Sequence, residues 1–418
     1  MSSDKFQLGT ANYKQGSYIV VEGRQKADCF FIIQQGRVSL SREIMNREEI
    51  LVPGDFFGVV STMSSNSHIE TAVAMTDVVL ITVRPQQYVP LIQRNTRIAV
   101  KILIQLSSRL RFLDRTLTKL IRRDDTETTV VDYPSRLFGV AEYYFNQKQY
   151  KQAFYAYTKY LRYCPREENG DLAASRLKEL ANNVDDVKTD YGKTEVERAY
   201  CRGDMIFAEG EPGDELFIIQ SGSLKITRII NNSEVLLTML KSGDIFGEMA
   251  ALEGKPRAAS AFAVEDCVVM AVNKANFEFM IRDQPQLAVR VTTLLAERIW
   301  FVSKQVENAL VINPLGKIYG AMLIHLEKIR ANLDSTGPHV FNFTWEDFVN
   351  ALGFAEKEGY ILMGELQKDK NVQVRKGRIY VDSVQELVKQ TDYHRKMDKI
   401  EKAKHESRSK LQAESENA

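Results

Sequence analysis

The sequence predicts a multidomain α+β protein. It should hold two jelly-roll β-barrels, each followed by a long helix, with a helical hairpin between them and a strand–helix–turn–helix–strand–wing–strand unit towards the C-terminus. Three observations lead there. The chain has 418 residues, 44% hydrophobic and 27% charged, enough for two or three buried cores and ordinary for a water-soluble protein. It is internally duplicated. And after each β-rich copy the apolar period lengthens from 2 to 3.5.

The duplication sets the element order. "VVEGRQKADCFFIIQQGRVSL" (Val20 to Leu40) matches "FAEGEPGDELFIIQSGSLKI" (Phe207 to Ile226), and "PGDFFG" matches "SGDIFG". From Phe57 and Phe246 the copies run without a gap through "AVAMTDVVLITV" and "AFAVEDCVVMAV" into the following helix. Short Val, Ile and Phe runs separated by Gly-Asp or Asn-Asn turns read as strands, and many short strands with tight corners suit a small jelly roll. The long helices then carry one seam each: Leu106, Leu110, Leu113, Leu117 and Leu120 in the first, and Leu295, Ile299, Val302, Val306 and Ala309 in the second. Such a seam either packs on its own barrel or pairs with a second copy of the chain.

Within the second copy, "FGEMAALEGKPRAASA" (Phe246 to Ala261) sets one Glu and one Arg among small residues. Arg257 offers a planar, always-charged fork suited to a desolvated phosphate. Gly247, Ala250, Ala258 and Ala259 let an anion approach backbone N–H groups. Glu248 can accept a hydrogen bond from a ribose hydroxyl, and Pro256 stiffens the turn presenting Arg257.

The arrangement of FGE, an aliphatic residue, Ala, a spacer, PR and small residues resembles the phosphate-binding cassette of the cyclic nucleotide-binding domain superfamily. The resemblance implies a site for cAMP, with cGMP the weaker fit because Ala258 follows the arginine. It assigns Glu248 to the ribose and Arg257 to the cyclic phosphate, with backbone amides of Gly247, Met249, Ala250, Ala258 and Ala259 completing the cradle. The first copy departs from this pattern: Val59 stands for Glu248, His68 for Arg257, and Ile69 and Glu70 come next. Val accepts no hydroxyl proton, imidazole forms no fork, and Glu70 adds a negative charge. That copy is expected to be a structural or dimerising domain, with a site for a different ligand as the alternative.

Between the barrels, "RLFGVAEYYFNQKQYKQAFYAYTKYLRYCP" (Arg136 to Pro165) reads as two amphipathic helices joined by "NQKQY", with a third helix after them. It looks like one tetratricopeptide unit, serving as a spacer or as a peptide-binding groove. Beyond the second seam, Asn313-Pro314 opens a helix. Thr344 then caps the first helix of the C-terminal unit and Gly377 tips its hairpin. Order and spacing resemble the winged helix-turn-helix of the Crp/Fnr transcription regulators. Arg375, Lys376 and Arg378 in the wing and Lys357 on the second helix are the DNA-binding candidates. Against them, that helix carries Glu356, Glu358 and Glu365, which neither neutralise phosphates nor read guanine. The unit serves DNA binding or protein contact.

The resulting boundaries are 1–127 for a degenerate cyclic nucleotide-binding-like domain with its long helix and 130–185 for the hairpin and helix. The binding domain with its long helix takes 196–312, the winged helix 313–390 and a charged tail 391–418. No nucleophile elbow, Walker loop or HExxH occurs, so no catalysis is expected. The four cysteines, 29, 164, 201 and 267, have no CxxC or metal spacing, which fits reduced thiols in the cytoplasm and no metal. A formal net charge of +1 gives no global nucleic-acid signal. The expected partners are a cyclic nucleotide, a second copy in a homodimer, DNA, and a protein held by the hairpin, with no membrane. "IRRDDTETT" (Ile121 to Thr129) lacks the hydrophobic residue a kinase pseudosubstrate would carry.

Overall fold

A computed structural model describes residues 8–23, 26–42, 47–122, 134–181, 184, 187, 195–230 and 232–416. Arg123 to Thr129 of the basic stretch, and most of the polar linker Asn182 to Glu195, lie outside the described residues.

The first β domain runs through β1 (Gly9–Tyr13), β2 (Tyr18–Val20), β3 (Phe30–Gln35), β4 (Val38–Arg42), β5 (Arg47–Leu51) and β6 (Phe56–Phe57). A one-and-a-half-turn helix α1 (Val59–Ser64) comes next, then β7 (Thr71–Ala74) and β8 (Val78–Val83). Two four-stranded antiparallel sheets result, in the orders β1-β8-β3-β6 and β2-β7-β4-β5. Strand alternation turns Phe31, Ile33 and Leu80 of one sheet and Val38, Leu40 and Ala72 of the other into a shared core. Helices α2 (Pro85–Arg94) and α3 (Thr96–Arg122) end the copy.

Three helices lie between the copies: α4 (Arg136–Asn146), α5 (Tyr150–Tyr163) and α6 (Gly170–Leu180). Their apolar faces meet in a cluster that includes Leu137, Tyr144, Tyr157 and Tyr160. The cluster takes in Met205, Ala208, Ile229 and Phe262 as well, so these helices are packed on the second β domain.

That domain repeats the first. It contains β9 (Glu197–Tyr200), β10 (Met205–Phe207), β11 (Glu215–Ser221), β12 (Ser223–Ile230), β13 (Ser233–Lys241), β14 (Ile245–Phe246), α7 (Glu248–Glu253), β15 (Ser260–Ala263) and β16 (Cys267–Asn273). The sheet orders are β14-β11-β16-β9 and β10-β15-β12-β13, strand for strand those of the first copy. Even the register agrees: Phe31 pairs with Phe57 in one and Phe217 with Phe246 in the other. Helices α8 (Lys274–Asp283) and α9 (Pro285–Ala309) close it. The seam residues Leu106, Leu110, Leu295 and Ile299 are all buried within the single chain. Leu117, Leu120, Val302 and Ala309, further along the same seams, are half-buried.

The C-terminal part holds α10 (Pro314–Lys328), β17 (His339–Thr344), α11 (Trp345–Ala351), α12 (Glu356–Leu366), β18 (Val372–Arg375), β19 (Arg378–Val381) and α13 (Val384–Glu416). Thr344 caps α11 by accepting the Asp347 N–H at 3.1 Å. The three strands form a sheet in the order β17-β19-β18 over a core of Phe341, Trp345, Leu366 and Ile379. Residues beyond 390, expected from sequence as a solvated helix or a disordered tail, continue the helix α13. There Thr391 and Asp398 are buried, and Asp398 accepts the Ile312 N–H at 2.6 Å. Two compact units emerge, one reaching Phe112 and resuming through the second β domain to Trp300, the other taking the end of α3 with Phe301 onward.

Candidate functional site

Strand β14 delivers the chain to Gly247, whose φ of 72° is left-handed and which caps α7. Glu248 is thereby the first helical residue, with Met249 and Ala250 in the first turn, where backbone N–H groups have no intrahelical partner. After the helix the chain returns along Lys255 and Pro256 to Arg257, in the loop that leads into β15. Glu248, Met249, Ala250, Arg257 and Ala259 are all buried, and Ala258 is half-buried. The local fold therefore brings together the seven residues singled out in the cassette.

Arg257 is 5% exposed, and its guanidinium is held through one nitrogen and two aromatic rings. Nη1 donates to the carbonyls of Glu215 and Gly247, each at 2.8 Å. The charge lies over the ring of Phe207 at 4.4 Å and that of Phe217 at 5.3 Å. Two glycines make the room. A Cβ on Gly213 would stand 2.5 Å from Nε and Nη2, and one on Gly247 would stand 2.7 Å from Nη1. Burial pulls the Arg257 pKa down from its ordinary value, opposed by Glu211, Tyr155, Glu215 and Glu248; guanidinium stays charged regardless. Nε is buried without a hydrogen-bond partner. The Nε–Nη2 edge carries two parallel N–H groups, a geometry that suits a pair of phosphate oxygens.

The sequence did not single out three further groups at this site. Arg298 of α9 donates to the Glu248 carboxylate at 3.2 Å, fixing the acceptor from the long helix. Arg111 of α3, 2% exposed, donates to the Pro256 carbonyl at 2.9 Å and pairs with Glu253 at 3.3 Å. It anchors the turn from the other β domain. Glu211 accepts the Arg257 backbone N–H through its carbonyl at 2.8 Å. The duplication could have revealed Arg298, since it lies as far beyond Phe246 as Arg109 lies beyond Phe57. Nothing local points to Arg111 or Glu211.

In the first β domain the same frame holds different chemistry. Gly58 caps α1 at φ 79°, and Val59 fills the place of Glu248 as a buried apolar side chain. His68 is buried, its pKa lowered by burial. Glu70, 1% exposed, turns inwards. It accepts the Gly58 N–H at 3.2 Å and Arg109 Nη2 at 2.8 Å, with Arg42 at 3.6 Å. Burial pushes the Glu70 carboxyl up, but the guanidiniums of Arg109 and Arg42 and the Gly58 N–H outweigh it and hold the group below the usual range. A carboxylate of the chain itself thus takes the donors of this cassette.

The basic candidates of the C-terminal unit sit on two elements. Arg375, Lys376 and Arg378 meet at the exposed β18–β19 turn, where Arg375 faces Arg378 in register. Lys357 is exposed on the first turn of α12 beside Glu356. The same helix exposes Tyr360 at 56% and Ile361 at 67%. Among the described residues there is no metal-binding cluster, and no helix is long and apolar enough to cross a membrane.

Comparison with known proteins bears on both β domains. Residues 10–95 and 197–284 match the cyclic nucleotide-binding domain. The chain is similar to the CRP-like cAMP-activated global transcriptional regulator of Mycobacterium tuberculosis, 31% identical over 125 residues, covering 30% of this chain and 56% of that one. The cyclic AMP receptor protein of Thermus thermophilus is 36% identical over 103 residues, 24% of this chain and 48% of that one. A cAMP-dependent protein kinase regulatory subunit of Debaryomyces hansenii is 25% identical over 276 residues, 66% of this chain and 45% of that one. The chain spans about half the length of these relatives. With the topology repeated strand for strand and both copies matched, this chain carries tandem cyclic nucleotide-binding domains, and CRP-like regulators and kinase regulatory subunits are among its relatives.

Proposed function

We propose that the protein is a cyclic nucleotide sensor that takes cAMP in its second β domain and regulates transcription through the C-terminal unit, acting as a winged helix. One observation carries the ligand part: the buried Arg257, whose Nη1 is tied to two carbonyls and whose Nε has no partner. The cyclic phosphate binds the Nε–Nη2 edge and the first-turn N–H groups, and Glu248, steadied by Arg298, accepts from the ribose 2′-OH. The first β domain, with Glu70 inside its cassette, binds no nucleotide and serves as a structural partner. Because Arg298 lies on the long helix, a ribose hydroxyl that engages Glu248 also bears on that helix, which gives ligand a lever on the C-terminal half of the chain. Titration of the whole chain with cAMP, cGMP and a cyclic dinucleotide in a calorimeter tests this. Saturable heat with cAMP that Arg257→Ala abolishes is the expected result; equal heat from the variant would refute the assignment.

A second reading of the output is favoured by the face of α12. Tyr360 and Ile361 are exposed among Glu356 and Glu365, a surface that repels phosphate and suits a protein partner. In that reading the ligand-bound protein signals without specific DNA. Gel-shift titrations with and without cAMP at several salt concentrations separate the two. Salt-sensitive, cAMP-dependent binding lost in the triple variant of Arg375, Lys376 and Arg378 to Ala supports transcription control. No DNA binding at any salt supports protein contact.

A further inference from the structure

The helices between the two β domains reach the anion site through one residue. Glu211 is 6% exposed, and its carboxylate is gripped by α5: Lys159 Nζ lies at 2.9 Å and the Tyr155 hydroxyl at 3.1 Å. The Ala208 N–H adds a third bond at 3.0 Å. The side chains of Lys159 and Glu211 are 7% and 8% exposed, so the pair is desolvated. Burial, with Glu211 nearby, raises the Tyr155 hydroxyl well above its ordinary pKa, which keeps its proton on the oxygen. The main chain of the same segment carries Arg257: its N–H donates to the Glu211 carbonyl at 2.8 Å, and its carbonyl accepts the Gly210 N–H at 2.9 Å.

This geometry has an electrostatic consequence. A buried carboxylate without a counter-charge seeks the nearest cation, and Arg257 is held on the backbone of the very residue that bears it. If Lys159 were neutral, Glu211 would turn to the guanidinium and compete with a ligand anion for the Nε–Nη2 edge. With Lys159 in place, Glu211 is neutralised from the helix side and the edge stays available. We infer that Lys159 and Tyr155 are positioning residues of the second domain's anion site, which makes the helical segment a part of that site. The inference rests on the cyclic nucleotide reading above for its ligand, and on the hydrogen-bond geometry alone for its mechanism.

The test uses the full chain and cAMP. Lys159→Met should weaken binding about tenfold, Tyr155→Phe less, and Lys159→Arg should restore it. The decisive variant is Lys159→Met with Glu211→Gln. Removing the unpaired carboxylate should return affinity to near the wild-type value, which a loss of packing would not do. A second readout needs no nucleotide. In the ligand-free chain, hydrogen exchange at the Arg257 and Gly210 amides should speed up in Lys159→Met and slow again in the double variant. If wild type gives no heat with cAMP, the ligand reading falls, while the exchange measurement still decides the role of Lys159. If wild type binds and Lys159→Met binds equally well, or the double variant stays as weak as the single one, the inference is overturned. Should Lys159→Met fail to fold, Tyr155→Phe and the double variant carry the same comparison.

Discussion

The two β domains share sheet order, register and a left-handed glycine at the head of the cassette helix, yet they distribute charge in opposite ways. In the second domain the cassette arginine lies inside and its Nε has no partner within the chain. In the first, a carboxylate lies inside and is bonded from a backbone N–H and two guanidiniums. Each long helix supplies an arginine at the same place in the repeat, Arg109 to Glu70 and Arg298 to Glu248. What the frame requires is a charge balance between cassette and long helix. Under the proposed reading a nucleotide completes it in the second domain, as the Glu70 carboxylate does in the first.

The sharpest way to break this contrast is at the paired positions His68 and Arg257. Arg257→Ala should lower cAMP affinity about thirtyfold or more, because truncating one partner of a desolvated charge pair typically costs about 2–5 kcal/mol. His68→Ala should leave it unchanged. Calorimetry on both variants checks this, and a loss of binding in His68→Ala would mean that the first domain holds ligand after all.

Next in size is Glu70. Glu70→Gln leaves Arg42 and Arg109 facing a neutral amide in a buried site, and should destabilise the first domain by about 3 kcal/mol at neutral pH. The pH dependence has a definite sign. The folded carboxyl titrates below its unfolded value, so its stabilisation is fully present above the unfolded pKa of about 4.3 and is lost as pH falls through the lower folded one. Melting curves of wild type and Glu70→Gln should therefore lie well apart at pH 7, start to draw together below about pH 4.3 and meet only beneath the lower folded value. A gap that stays constant with pH would mean that the Glu70 charge is not what stabilises this cassette.

How far the sequence discloses these sites depends on where each partner comes from. Glu248, Arg257 and the small residues are close in the chain, and their spacing alone assembles the turn, so this half of the site is legible. The duplication makes the β order legible too, because a repeated frame averages out ambiguous runs. Glu70 stands in plain view as a misplaced charge, but the sequence gives it the sense of a repulsive neighbour; only the fold brings Arg42 from β4 and Arg109 from α3 to neutralise it. Arg111 and Lys159 come from elements 146 and 98 residues before Arg257, and no periodicity encodes such meetings. The buried turns at the start of α13 fail for a related reason. Thr391 and Asp398 look solvated among charges, and it is hydrogen bonds to Tyr319 and Ile312 that bury them.

The smallest effect sharpens the comparison most finely, at the two helix arginines. Arg109 is 20% exposed and faces a carboxylate that is 1% exposed. Arg109→Ala therefore leaves a buried charge with only the Gly58 N–H and the more distant Arg42 against it, and the first domain should lose a few degrees in its melting temperature. Arg298 is 36% exposed, and an ion pair wet on one side contributes on the order of 0.5 kcal/mol. Arg298→Ala should barely move the melting curve, yet it releases Glu248 from the position in which it meets a ribose, for an affinity loss of about threefold. Stability and affinity should thus part company at Arg298 alone. If Arg298→Ala shifted stability as much as Arg109→Ala while leaving affinity untouched, the second helix arginine would be a structural pair like the first, and the two domains would differ only in the cassette.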